Sequence, residues 1–348
     1  MQTNFEHCMN KILIVAPAWV GDAIMAQPLY RRLAERWPGV KIDVLAPPWT
    51  RPVHARMPEI SETIDNPFGH GSLRLMERMK LGRQLRKRGY DQVIVLPNSL
   101  KSALIPWFAN IPKRTGWVGE ARFILMNDTR TLDPIALPQM VERFAALADA
   151  PDVPLARPVP HPRLKIDSAA RDAALAKLGL TADKPIVACC PGAEYGPAKR
   201  WPANHFADLA NHRMSLGEQV WLFGSNKDQE IASEIAALAP GTVNLCGQTS
   251  LAEAIDLMSL AQVVVANDSG LMHVAAGLDR PLVAIYGSSS PEFTPPLSNR
   301  AEIVTLDLEC SPCFERVCPL GHMNCLNQLE AGRANRAINK LLLLGAHT

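Results

Sequence analysis

Short, β-branched apolar runs alternate with helix-patterned stretches along nearly the whole chain, and few folds accommodate that alternation. In the first half the runs are "KILIVA" (Lys11–Ala16), "KIDVLA" (Lys41–Ala46) and "QVIVL" (Gln92–Leu96). In the second half they are "PIVACC", "QVWLF", "TVNLC", "QVVVA" and "PLVAIY". A helix-patterned stretch such as "AIMAQPLYRRLAERW" separates the first two, with Ile24, Leu29 and Leu33 along one face. Strands alternating with crossover helices indicate parallel sheets in an α/β fold. The 348 residues exceed one ordinary core. Proline-rich "PDVPLARPVPHPRLKID", Pro151 to Asp167, forbids helix and reads as a linker between two halves. The expected organisation is therefore two doubly wound domains, residues 9–160 and 161–330. A last helix within 331–348, "ANRAINKLLLLGA", is expected to pack back across the linker onto the first domain.

In an open α/β sheet, ligands bind outside the carboxyl ends of the strands. Four such ends carry polar or glycine-containing loops, and two facing domains would direct them into one cleft. "APAWVGDAIMAQPL" follows the first strand without the G-x-G-x-x-G pattern of a dinucleotide site. Gly21 permits a tight turn there, and Asp22 stands at the helix start. An acid in that place reads as an N-cap or as a general base that takes the proton of an attacking hydroxyl. "CCPGAEYGPAKRWP" (Cys189–Pro202) joins Gly192 and Gly196, which leave room for a ligand, to the cations Lys199 and Arg200. Exposed amides and paired cations suit a diphosphate. In "FGSNKDQE", Asp228 is placed to hold ribose hydroxyls or to stabilise a helix start. "NDSGLMH" offers a helix N-terminus to an anion, with Asp268 for sugar hydroxyls, the Ser269 hydroxyl, the unencumbered Gly270, and His273 one turn along, facing the cleft.

The net charge of +2 conceals an asymmetry: residues 1–160 hold 21 Lys/Arg against 15 Asp/Glu, and the remainder 15 against 19. Much of the basic surplus lies in "RLMERMKLGRQLRKR", Arg74 to Arg88, which includes Arg83, Arg86 and Lys87. With Leu75, Met76 and Met79 as an apolar stripe, this is either a solvated helix face or a surface for anionic lipid headgroups. No aromatic residues are interleaved with the charge, so nucleic acid is disfavoured. No run approaches the ~20 apolar residues of a membrane span, and no signal peptide opens the chain, where "MQTNFEHC" precedes Met9 as an extension. A soluble cytoplasmic protein is expected. Four of eight cysteines, Cys310, Cys313, Cys318 and Cys325, cluster around His322. That spacing fits a structural metal or a set of reduced thiols.

Together, "ILIVAPAWVGDAIMAQPL", "PGAEYGPAKRWP" and "NDSGLMHVAAGLDRPLVAIYGSSSPEFTPP" resemble the ADP-heptose:lipopolysaccharide heptosyltransferases of glycosyltransferase family 9. The resemblance runs from Met9 over essentially the whole chain. It implies the GT-B architecture, two Rossmann-like doubly wound domains facing across a cleft. It also implies inverting transfer of L-glycero-D-manno-heptose from ADP-heptose to the first heptose of the inner core, heptosyl-Kdo-lipid A. On this reading Asp22 is the base and Lys199 a diphosphate ligand, while Asp268, Ser269, Gly270 and His273 surround the donor. Gly192, Arg200 and Asp228 join the donor side; Gly21, Arg83, Arg86 and Lys87 lie on the acceptor side, against the anionic inner face of the membrane. No cofactor or metal is expected, because Lys199 and helix N-termini stabilise the departing diphosphate. The alternatives are a family member acting at another core position, or a nucleotide-sugar epimerase on the same frame.

Overall fold

The computed structural model describes residues 9–69, 71 and 73–345, so the expected N-terminal extension lies outside the described residues. The chain forms two units, one ending at Pro160 and the other beginning at His161.

The first unit is built on β1 (Lys11–Val15), β2 (Lys41–Ala46), β3 (Ile60–Asp65), β4 (Gln92–Val95), β5 (Lys113–Trp117) and β6 (Asp128–Arg130). They pair in parallel in the order β3-β2-β1-β4-β5-β6. The second unit repeats this with β7 (Ile186–Cys190), β8 (Gln219–Leu222), β9 (Val243–Asn244), β10 (Val263–Asn267), β11 (Leu282–Ile285) and β12 (Ala301–Val304). Their order is β12-β11-β10-β7-β8-β9, again all parallel. Each unit thus winds outward from its first strand to one edge, then from the far side of that strand to the other edge. The reversal falls between β1 and β4 in one unit and between β7 and β10 in the other, the topological switch points at which such sheets hold ligands.

The innermost strands are apolar because helices cover both faces of a parallel sheet. Ile12, Leu13, Ile14, Val93, Ile94, Val187, Cys189, Val263 and Val265 are all inaccessible to solvent. β2 admits one acid, Asp43, which is buried and fully partnered: Tyr90 donates to it at 2.7 Å and the Lys11 ammonium lies 3.2 Å away. The expected single helix after β1 is two, Val20–Met25 and Gln27–Arg36. The break falls at Ala26, just ahead of Pro28, whose ring nitrogen cannot donate a helical hydrogen bond. The C-terminal helix runs from Ala331 to Gly345. Ala331, Ala334, Ile338 and Leu341 belong to the core of the second unit, together with Val263, Val283 and Trp201. Its apolar face is thus used within its own unit. Among the described residues no helix is long and apolar enough to cross a membrane.

Candidate active site

In the second unit, the loops leaving β7 and β10 meet at the switch point, and one buried side chain joins them. Asn267 closes β10, is inaccessible to solvent, donates to the Pro191 carbonyl at 2.7 Å and accepts from the Trp201 amide at 3.1 Å. A polar residue ending an apolar strand was the available signal, and the sequence reading passed over it in favour of its neighbours. With both loops fixed, the Lys199 ammonium lies 2.5 Å from Asp268, and the two side chains are only 17% and 5% exposed. Asp268 is therefore an ion-pair partner of the loop lysine as well as a candidate for sugar hydroxyls.

The helix after β10 runs from Gly270 to Gly277, with Ser269 in the N-cap position. Ser269 does not cap it, and its buried Oγ has no hydrogen-bond partner among the described residues. The hydroxyl, the first amides of the helix and its dipole thus remain together at the strand end. His273 is 3% exposed, so it is packed one turn below the surface. Burial lowers its pKa to about 4, with Asp268 raising it and Lys199 lowering it. The imidazole is neutral at pH 7.

The two glycines of the β7 loop lie where neighbouring protein groups come close. A Cβ on Gly192 would meet the Asp228 carboxyl at 2.4 Å, and one on Gly196 would meet the Arg316 carbonyl at the same distance. Asp228 itself closes a capping box: the amide and hydroxyl of Ser225 both donate to it at 2.8 Å. Its carboxylate supports the turn into helix Gln229–Leu238, which is the bland reading of that acid. Arg200 keeps one long hydrogen bond, 3.5 Å to the Ala193 carbonyl, and its buried Nε has no partner among the described residues.

In the first unit, Gly21 and Asp22 are the second and third residues of helix Val20–Met25, both partly exposed. The N-cap is Trp19, so Asp22 is not the cap; it occupies the first turn, where the helix dipole favours a carboxylate. This places it beyond the carboxyl end of β1, beside the switch point. Arg83 and Arg86 lie on helix Leu75–Arg86, with Lys87 following it, and all three are exposed. Arg78 is the exception in that basic run: it is buried, donating to the Leu73 carbonyl at 2.7 Å and lying over the Phe68 ring.

Cys310, Cys313, Cys318, Cys325 and His322 line one small cavity of about 20 Å³. The four thiols are free, and among the described residues no group of His, Cys, Asp or Glu is arranged to hold a metal ion. Cys189 and Cys190 are buried in β7, as their place in an apolar strand implies.

Comparison with known proteins gives this geometry a family. The model of glycosyltransferase family 9 (heptosyltransferase) matches residues 78–324. Lipopolysaccharide heptosyltransferase 2 of Salmonella typhimurium is 51% identical over 308 residues, 85% of this chain and 88% of the relative. The enzyme of the same name from Escherichia coli K12 is 47% identical over 345 residues, 96% and 99% of the two chains. The solved E. coli ADP-heptose lps heptosyltransferase II superposes with a TM-score of 0.87 at 44% identity, covering 97% of this chain and 99% of that one.

One prediction rests on the buried imidazoles. His273 and His54 both have pKa values lowered to about 4 by burial, from 6.5. Between those values the unfolded chain binds more protons than the folded one, so stability is complete above pH ~6.5 and falls as the pH drops toward ~4. Each shift is worth on the order of 3 kcal/mol across that window. Urea unfolding at pH 7 and pH 4.5 is expected to show a smaller acid loss for His273→Asn than for wild type. Equal losses would show that His273 does not carry this share.

Proposed function

The chain belongs to glycosyltransferase family 9, and from that premise we propose that it is an inverting heptosyltransferase of the lipopolysaccharide inner core. The donor is ADP-L-glycero-D-manno-heptose and the acceptor is the first heptose of heptosyl-Kdo-lipid A. The observation that carries this reading is the construction at the second unit's switch point. The Lys199–Asp268 pair, the unpartnered Ser269 hydroxyl and a helix N-terminus converge there, as a nucleoside diphosphate-sugar requires. The near-complete coverage of heptosyltransferase 2 relatives supports the same donor and acceptor.

Asp22 then acts as the general base. The acceptor hydroxyl passes its proton to the Asp22 carboxylate while its oxygen bonds to the anomeric carbon of the donor. The bond from that carbon to the diphosphate oxygen breaks on the opposite face, and ADP departs with the electron pair, so the configuration inverts. Lys199 and the amides at the start of helix Gly270–Gly277 meet the charge that grows on the leaving diphosphate. The pairing of Lys199 with Asp268 holds its ammonium in place before the donor arrives, which limits reorganisation during reaction. Neutral His273 supports this group from below without adding a charge.

The acceptor is anchored in a lipid, and the first unit carries a surface suited to it. A groove of about 510 Å³ on helix Leu75–Arg86 is lined by Met76, Met79, Lys80, Arg83, Gln84 and Lys87, with one acid, Glu77. Met76 is 68% exposed and Leu75 45%. Apolar side chains beside basic ones bind anionic headgroups, and the enzyme accordingly works as a cytoplasmic protein held peripherally at the inner membrane face.

Two measurements test these assignments. Asp22→Asn is expected to lower the transfer rate by at least 100-fold while ADP-heptose affinity and thermal midpoint stay near wild type; equal loss of affinity or folding would return Asp22 to a structural role. Replacing Arg83, Arg86 and Lys87 together by glutamate is expected to abolish co-sedimentation with vesicles containing phosphatidylglycerol. Unchanged sedimentation, or equal binding of wild type to neutral phosphatidylcholine vesicles, would reject the basic helix as a membrane contact.

A further inference from the structure

The cysteine-rich segment, which the catalytic scheme leaves unused, is bonded directly to the loop that carries Lys199. The Ala198 amide donates to the Arg316 carbonyl at 3.1 Å, and the Tyr195 hydroxyl donates to the Phe314 carbonyl at 2.8 Å. The glycine at position 196 is required for this contact, since a Cβ there would sit 2.4 Å from the Arg316 carbonyl oxygen. The segment is in turn fixed to the end of β11: the Phe314 amide donates to the Ser288 carbonyl at 2.6 Å, and the Ser311 hydroxyl donates to the Gly287 carbonyl. Residues 311–316 therefore bridge the loops after β7 and β11.

That bridge brings a second cation to the loop. The Arg316 guanidinium lies 4.8 Å from the centre of the Tyr195 ring, and the Lys199 ammonium lies 5.1 Å from the same centre. The electrostatic balance of the loop shows why this matters. Lys199 is neutralised by Asp268, and Glu194 is neutralised by Lys227. Arg200 and Arg316 have no carboxylate partner among the described residues. Neither guanidinium is spent in an ion pair with a carboxylate, at a loop whose proposed ligand carries one negative charge on each of two phosphates. Like charges gathered around one ring are stabilised when an anion joins them.

We propose that Arg316, from the cysteine-rich segment, is a ligand of the donor diphosphate, with Tyr195 as the residue that positions it beside Lys199. The proposal rests on the nucleoside diphosphate-sugar reading of this loop. It gives the segment a function independent of the state of its thiols: the loop is shaped by the segment's backbone and supplied with charge by its arginine.

Calorimetric titration of ADP and adenosine into wild type, Arg316→Ala and Arg316→Lys tests it. A charge-assisted hydrogen bond to phosphate is worth roughly 10- to 100-fold in affinity. Arg316→Ala is expected to weaken ADP by about 10-fold or more, to leave adenosine within about twofold, and to leave the thermal midpoint unchanged, since the side chain is exposed. Arg316→Lys is expected to recover part of the ADP affinity. ADP binding within twofold of wild type in Arg316→Ala, or an equal loss for adenosine, would overturn the assignment. The same titrations with UDP and GDP separate this proposal from the donor's identity. If wild type prefers one of those and Arg316→Ala loses it, Arg316 stands and the adenine donor falls. If wild type binds none of the three diphosphates, both fall.

Discussion

The contact between Lys199 and Asp268 organises the second unit's ligand end. The two side chains leave water almost completely, and such a pair is retained only where its geometry is good and its surroundings are held. Here the surroundings are held by Asn267, which closes β10 and bonds both ends of the loop after β7, across the reversal point in the sheet. The consequence is electrostatic as well as structural. In the proposed donor site, a lysine already matched by an aspartate leaves part of the diphosphate charge to Arg200, Arg316 and the amides that open helix Gly270–Gly277. The order of the strands brings these elements, separated in sequence, to one end of the sheet.

The reach of the sequence into this arrangement follows physical lines. Strands buried on both faces, such as β1, β4, β7 and β10, read as unbroken apolar runs and were legible. β3, β5, β6 and β12 were not, because their runs are short or interrupted by polar residues: β3 mixes Ile60 and Ile64 with Ser61, Glu62 and Asp65, β5 opens with Lys113, Arg114 and Thr115, and β6 is only Asp128–Arg130. Of the groups gathered at the second unit's switch point, those next to a strand end in sequence, Lys199, Asp268 and Ser269, were legible by position. Arg316 and Tyr195 were not, since their pairing spans more than a hundred residues and no local pattern encodes it. The glycines were legible as sites of close approach, but what approaches, the Asp228 carboxyl and the Arg316 carbonyl, is set by tertiary structure.

The first unit shows the same separation of roles. Asp22 keeps its carboxylate in the first turn of a short helix, with Trp19 taking the cap position. It stands beyond β1 at that sheet's reversal point, where the proposed reaction uses it as the base. The helix Leu75–Arg86 divides its basic residues by burial: Arg78 is consumed in packing, while Arg83 and Arg86 remain at the surface. Much of the positive surplus of this half is therefore concentrated on one exposed stretch of helix, the surface proposed to meet a phosphorylated, lipid-borne acceptor.

The measurement that reaches the central claim most directly is product formation from ADP-heptose with two purified acceptors. One is Kdo-lipid A without heptose, and the other already carries its first heptose. The account predicts transfer to the mono-heptosylated acceptor alone, with one heptose added for each ADP released. Transfer to the bare acceptor alone would contradict it, leaving the fold and the donor site in place but moving the reaction one step earlier in the core.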